Sequence, residues 1–547
     1  MAGETTRPVP TTMGKDGVPV AQTIASPTNN KVRAQCKAPP HTVVPIVFVP
    51  GIMGSNLRDK DTHKNIWGLN SIIGMLFQWG FRSSSTRQGK LNPDNAEVDP
   101  DGGFPGKSAA VPDAETAKQR GWGTVAKMSY GGFLRWLDDS LNADLCGSAV
   151  PGEDKSPWAD YEGKTEPGAE WGAEKTFDPI APEESNKAWI NFYCPVHAVG
   201  YNWLKSNGDS GKDLVHGVAD KDGHVIVKGI DQIIQYWNDF ETTGGHKPYQ
   251  CKQVILVSHS MGGLVTRAAV HEKLGNAADK VLGIVHGEQP ANGAAAAYHH
   301  CRSGYGGMTG IVLGRNAAQV TAVFANSPGA MELLPNQQYP TRWLKARAAG
   351  DAAPVMQLPE SDPYIEVYPE KDKWWRLIDP SLIDPSGVYK KAGTDPWKDG
   401  YQQNLTRVAS FHYTLEMSYH SQTYVHYGSA TEICSIWGDL IWESASSASL
   451  DPIALLIASP DKGSNPVTVR GTKFHIVDPQ AMGYSQPGDG TVPKCSGEAP
   501  NAQGGGNIQQ SFKMTQGFQH QDAYNDVQVQ HATLWCIGKL LKQAEVL

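Results

Sequence analysis

Gln253-Val254-Ile255-Leu256-Val257-Ser258-His259-Ser260-Met261-Gly262-Gly263-Leu264-Val265 is the stretch on which the reading of the whole chain turns. Val254 to Val257 are consecutive branched apolar residues, the pattern of a buried strand. Ser258 to Gly263 are too small and polar to continue it, and Leu264-Val265-Thr266-Arg267-Ala268-Ala269-Val270 resumes with helical character. A strand, a sharp turn and a helix thus follow one another, with Ser260 at the apex. In that setting a serine hydroxyl projects from the turn as a nucleophile, and the N–H of Met261 is available to an oxyanion. The usual motif is Gly-x-Ser-x-Gly, and Ser258 takes its first position while remaining small enough for helix and strand to approach closely.

Upstream of this elbow, Val43-Val44-Pro45-Ile46-Val47-Phe48-Val49 reads as a strand that runs into Pro50-Gly51-Ile52-Met53-Gly54-Ser55. A strand entering a glycine-rich turn before the nucleophile is where such a fold carries its second oxyanion donor. The N–H of Ile52 is the first choice and that of Met53 the second. Downstream, Lys280 to His286 is another buried strand, ending at Gly287-Glu288-Gln289-Pro290-Ala291-Asn292-Gly293. Gly471 to Val477 reads as a last strand, followed by Gln486-Pro487-Gly488-Asp489-Gly490-Thr491-Val492-Pro493. Asp489 stands between glycines in that loop, where a carboxylate can orient a histidine and where a plain Asp-Gly turn is the rival reading. His520, in Gly517-Phe518-Gln519-His520, precedes the terminal helix and alone among the 17 histidines has both the chain position and the loop setting of a general base. His531 lies in the helix itself, where packing explains it.

Composition narrows the function classes. The chain has 547 residues and a formal charge of -8 of mixed sign, which leaves no basic footprint for nucleic acid. Residues 1–40 are polar, with no apolar core of signal-peptide length, and no run reaches the ~18 apolar residues of a membrane span. The expectation is a protein made in the cytoplasm and exported, if at all, by a signal-independent route. Eight cysteines without a C-x-x-C pair suit neither a zinc ribbon nor a small disulfide scaffold. Asp220-Lys221-Asp222-Gly223 reads as a turn rather than a calcium loop, because the downstream ligands are missing. His412, His420 and His426 lack the spacing of a helical metal pair. No metal or organic cofactor is expected.

These readings divide the chain into a flexible tail over 1–40, a first core part over 41–290 with an irregular insertion at about 68–187, an inserted cap or lid over 291–470, and a closing core part over 471–547. The 291–470 segment is rich in tryptophan, and Met308 to Leu313 or the Trp374-Trp375 pair could give a lid the apolar inner surface that a water-insoluble substrate requires. The alternative is that these aromatics form the insertion's own core.

Taken together, Pro50 to Ser55 with Leu57 and Trp67, Tyr201-Asn202-Trp203, Ser258 to Gly263, Gly488 to Val492, and Gly517 to His520 with His531 resemble the lecithin:cholesterol acyltransferase-like lipase group. The resemblance implies an α/β-hydrolase fold, a mostly parallel central sheet flanked by helices, with the large insertions forming a cap. It implies a triad of Ser260, Asp489 and His520. Asn202, where that group commonly has aspartate, and the two insertions depart from the pattern. The architecture also resembles lipase effectors of bacterial type VI secretion. That likeness implies a phospholipid substrate at a membrane surface, delivery into the periplasm of a target cell, a secretion-apparatus component, and an immunity protein as partners. A soluble carboxylesterase, an acyltransferase using the same residues, and a catalytically dead hydrolase-fold binding protein are the alternatives.

Overall fold

The computed structural model describes residues 5–9, 11–13, 19–21, 32–36, 39–68, 79, 82–143, 156–242, 245–306, 310, 312–350, 353–431, 436–479 and 486–547. Its centre is a six-stranded, all-parallel sheet of β1 (Ile46–Val49), β2 (Val196–Ala198), β3 (Val254–His259), β4 (Val281–Gly287), β5 (Thr423–Gly428) and β6 (Ile508–Met514). The spatial order is β2-β1-β3-β4-β5-β6. Upstream of β1, β2 and β3, the pairs Thr42–Val43, Phe192–Tyr193 and Gln250–Cys251 form a short parallel extension. Pro45 and Pro195 separate the extension from the sheet, because a proline cannot donate to the ladder.

Every residue of β1, β3 and β4 is buried, as expected of a parallel sheet covered on both faces. Side chains alternate between two cores. Val47, Val49, Leu256 and Ile284 pack on one side with α2 (Gly262–Val270). Ile46, Phe48, Ile255, Val257 and Val285 pack on the other with α1 (Lys127–Asn142) and α3 (Val527–Leu541). This is the α/β-hydrolase architecture expected from the elbow.

Two expectations about the insertions need correction. The stretch at about 68–187 was expected to have little regular structure beyond short helical patches such as Gly132 to Leu137, and that patch belongs to the 16-residue α1, whose Tyr130, Phe133, Leu134 and Leu137 seal one face of the sheet. Gly131 and Gly132 lower the intrinsic helix propensity, and burial against the sheet overrides it. Within 291–470, read as an inserted cap or lid, the chain supplies β5, a full member of the central sheet. Conversely Thr472–Ile476, read as the last core strand, belongs to a second sheet.

That second sheet is mixed, in the order Met356–Leu358, Leu344–Arg347, Leu440–Ser444, Thr472–Ile476, Val467–Val469. It has its own core, in which Trp343, Trp374, Trp375 and Trp442 are buried. The Trp374 and Trp375 indoles donate to the carbonyls of Leu455 and Leu456 at 2.9 and 3.0 Å. The pair is therefore structural and does not line an acyl-chain surface. Of the other lid candidate, Met308 to Leu313, Met308, Thr309 and Ile311 lie outside the described residues while Val312 and Leu313 pack against the core, and most of the 1–40 tail also lies outside them. In that tail Thr5–Val9 pairs with Val32–Cys36 and Thr11–Met13 with Pro19–Ala21. Among the described residues no helix is long and apolar enough to cross a membrane.

Candidate active site

Ser260 leaves the end of β3 with φ 54°, a left-handed conformation that costs a non-glycine residue about 1 kcal/mol or more. The turn stays tight because its neighbours have no room for side chains. A Cβ on Gly262 would lie 2.5 Å from the carbonyl oxygens of Val49 and Pro50, and one on Gly263 would lie 2.6 Å from Gln289. The Ser260 N–H donates to Gly287 O at 2.8 Å, which ties the apex to the end of β4. Ser258 is fully buried, its Oγ 3.0 Å from His286 Nδ1.

The structure brings Ser260, His520 and Asp489 together. His520 Nε2 is 2.8 Å from Ser260 Oγ, and His520 Nδ1 is 2.7 Å from Asp489 Oδ2. The carboxylate can only accept, so Nδ1 carries the proton and Nε2 accepts from the serine hydroxyl. The other oxygen, Asp489 Oδ1, accepts from the N–H groups of Thr491 and Val492 at 3.0 and 2.7 Å. Burial by itself would raise the Asp489 carboxyl. His520 and these two N–H groups more than offset it and hold the group below the usual carboxylate range. The backbone repeats the link, since His520 N–H donates to Asp489 O at 2.8 Å.

The donor turn lies against this serine. A Cβ on Gly51 would sit 2.9 Å from Ser260 Cβ and 3.4 Å from its Oγ, so only glycine allows the approach. Met53 has φ 60° and its carbonyl accepts from the Trp67 indole at 2.8 Å, while Ile52 packs against both the core and the cap. Among the described residues, the Ile52 and Met261 N–H groups have no protein acceptor.

A hydrogen-bonded bridge connects the donor turn to the histidine loop. His259 Nε2 lies 2.9 Å from His520 O, and a carbonyl can only accept, so Nε2 bears the proton. His259 Nδ1 then accepts from the Tyr130 hydroxyl at 2.9 Å, and Tyr130 in turn accepts from Gly51 N–H at 3.1 Å. Burial, with His520 adding to it, depresses His259 to about 3, so the bridge is neutral. Beside Asp489 stands a second acid, Glu288, with φ 52° directly after β4 and 1 % exposed. Its Oε2 accepts from Gly428 N–H at 2.7 Å and its Oε1 is 3.2 Å from His426 Nδ1.

The remaining residues singled out from the sequence fall elsewhere. His412, His420 and His426 do not converge. His412 Nε2 donates to Glu332 O at 3.0 Å, His420 faces Ala278 O, and His426 sits in β5. His531 packs against Tyr161 and Trp136, and Asp220 Oδ1 closes a turn by accepting from the N–H groups of Asp222 and His224. Asn202 Nδ2 donates to Pro93 O and Ala96 O at 3.1 and 2.9 Å, which makes it a loop tie. Tyr130, His259, Glu288 and Gly428 had been assigned no role. Glu288 carried a usable signal, since it directly follows a buried parallel strand, whose carboxyl end is where such folds place function. No local signal marks Tyr130.

No protein-family model matches this chain, and neither does any curated protein. Among solved structures, a chain of "The crystal structure of Tle4-Tli4 complex" is 31% identical, with a TM-score of 0.74, and the match covers 92% of this chain and 99% of that one. Lipase 1 from Pelosinus fermentans is 14% identical over 69% of this chain and 94% of its own, with a TM-score of 0.24, too low to carry an argument. The near-complete coverage at that identity, on the hydrolase fold described above, makes the chain a member of the Tle4 family of type VI secretion lipase effectors, which are ester-hydrolysing enzymes.

Proposed function

We propose that Ser260, His520 and Asp489 are the catalytic set of a phospholipase of A type, which cleaves acyl esters of membrane glycerophospholipids. The observation that carries this reading is the continuous chain Ser260 Oγ, His520, Asp489 at 2.8 and 2.7 Å, with the serine at the apex of a strained turn. His520 Nε2 takes the hydroxyl proton as Ser260 attacks the ester carbonyl, and the imidazolium is held by Asp489. The N–H groups of Ile52 and Met261 receive the oxyanion, with Met53 the alternative to Ile52, and each such donor is typically worth about 3 kcal/mol. His520 then protonates the departing lysophospholipid alkoxide. Water, deprotonated by the same nitrogen, releases the fatty acid from the acyl-enzyme.

Ser260 is only 4 % exposed, at the carboxyl end of the buried strand β3. The solved relative is a complex with a second protein, and we infer a corresponding immunity protein for this chain. Delivery into a target cell without a cleaved signal follows from the same family membership.

Phospholipid vesicles incubated with the enzyme should give equimolar fatty acid and lysophospholipid by mass spectrometry, and Ser260→Ala should lower the rate at least ~10⁴-fold with an unchanged melting temperature. Transfer of the acyl group to an alcohol other than water would replace hydrolysis by acyl transfer. Undiminished turnover in Ser260→Ala would sink the assignment. Directed to the periplasm of a test bacterium, the wild type should be toxic and Ser260→Ala harmless.

A further inference from the structure

Glu288 and Asp489 are both buried, 1 and 2 % exposed, and their side chains meet at Gly428 of β5. Gly428 lies between their attachments. Its N–H binds Glu288 Oε2 at 2.7 Å, and a Cβ on it would meet Asp489 Cβ at 2.7 Å. The Glu288 N–H donates to His426 O at 3.0 Å, so backbone as well as side chain is anchored on β5.

We propose that Glu288 is a positioning residue for the reaction: a neutral carboxylic acid that donates a hydrogen bond to the Asp489 carboxylate and holds it against His520. This rests on Ser260, His520 and Asp489 being the catalytic set. Two touching carboxyl groups in a buried site cannot both be ionised. Their partners decide which one keeps the proton. Asp489 faces His520 and two backbone N–H groups, whereas Glu288 has one N–H and an imidazole.

The groups that face Glu288 supply no cation. His426 on β5 is held neutral by burial down to about 3, and Asp489, Tyr524 and Asp526 complete its electrostatic surroundings. Burial first, and Asp489 second, push the Glu288 carboxyl well above its usual range, in agreement with the geometric argument. The proton on Glu288 thus withdraws part of the Asp489 charge and fixes the carboxylate plane. At sufficiently alkaline pH that proton leaves, and the two like charges that then face each other push Asp489 out of the position that holds His520.

Glu288→Gln keeps a neutral donor, whereas Glu288→Ala removes it. Glu288→Gln should stay within about threefold of wild type at neutral pH and should lose the alkaline fall in kcat/KM. Folded Glu288→Ala should lose about tenfold to a hundredfold in kcat with little change in KM. Infrared difference spectra of wild type against Glu288→Gln should contain one buried carboxylic acid C=O stretch, a readout that needs neither turnover nor a folded alanine variant. Loss in Glu288→Gln as deep as in Asp489→Asn, wild-type kinetics in folded Glu288→Ala, or absence of that band would each overturn the proposal. A fluorophosphonate that fails to label Ser260 in the wild type would instead remove the catalytic reading itself, and this inference with it.

Discussion

In the central sheet, β1, β3 and β4 bury every residue, whereas Thr472–Ile476 of the cap sheet alternates between exposed and buried positions. A parallel sheet covered on both faces has no interior position for an exposed polar group, so its chemistry is displaced to the carboxyl ends of the strands. Three adjacent strands each hand over there to a left-handed, non-glycine residue: Met53 after β1, Ser260 after β3 and Glu288 after β4. The cap sheet carries its polar content within the strands. Arg347 and Glu443, paired at 2.7 Å, lie on neighbouring strands. Convergent polar groups accumulate at the strand ends of the first region, while tryptophan packing and paired charge accumulate in the second.

This contrast predicts which changes destroy activity and which destroy structure. Asp489→Asn preserves shape but offers His520 an amide in place of a carboxylate, and hydrolysis should fall about 10⁴-fold while the melting temperature barely moves. Loss of fold in this variant would place Asp489 among the structural residues. Acid should next weaken both regions together. His259, His286 and His426 of the core are held by burial down to about 3, and His299 and His300 of the cap to about 4 and about 3.

The unfolded chain takes up protons at these imidazoles from about pH 6.5 downward, while the folded chain refuses them. The stability they contribute is therefore complete above about pH 6.5 and disappears progressively toward pH 3, a loss on the order of several kcal/mol in total. Melting temperatures that stay constant from pH 7 to 4 would refute this.

Trp442→Ala tests how separable the cap is. The indole is fully buried, with the Arg302 guanidinium 5.0 Å above it and Trp374 edge-on at 5.5 Å. Truncation should cost about 3–5 kcal/mol and open the cap to proteolysis. Fluorophosphonate labelling of Ser260 should persist, and its disappearance would show that the cap helps to hold the triad. The smallest effect is expected at Gly89, on the helix Ser84–Lys90, where a Cβ meets nothing within 4 Å. Gly89→Ala should stabilise the protein by about 0.5–1 kcal/mol and leave turnover alone, as differential scanning calorimetry and an ester assay would check.

Local sequence determined the elbow, because the run Val254 to Val257 followed by small polar residues can only be a buried strand entering a tight turn. It also determined the neighbouring strands and the loops of Asp489 and His520, since apolar runs and glycine-bounded turns are properties of short segments. Tertiary structure alone decided that Thr423–Gly428, with its histidine and tyrosines, completes the parallel sheet while Thr472–Ile476 joins the cap, because strand partnership is settled by neighbours distant in the chain. It alone decided that Trp374 and Trp375 face a core of their own. The contacts of Tyr130 with Gly51 and His259, and of Glu288 with Gly428, span 79 to 140 residues, beyond the reach of any local pattern.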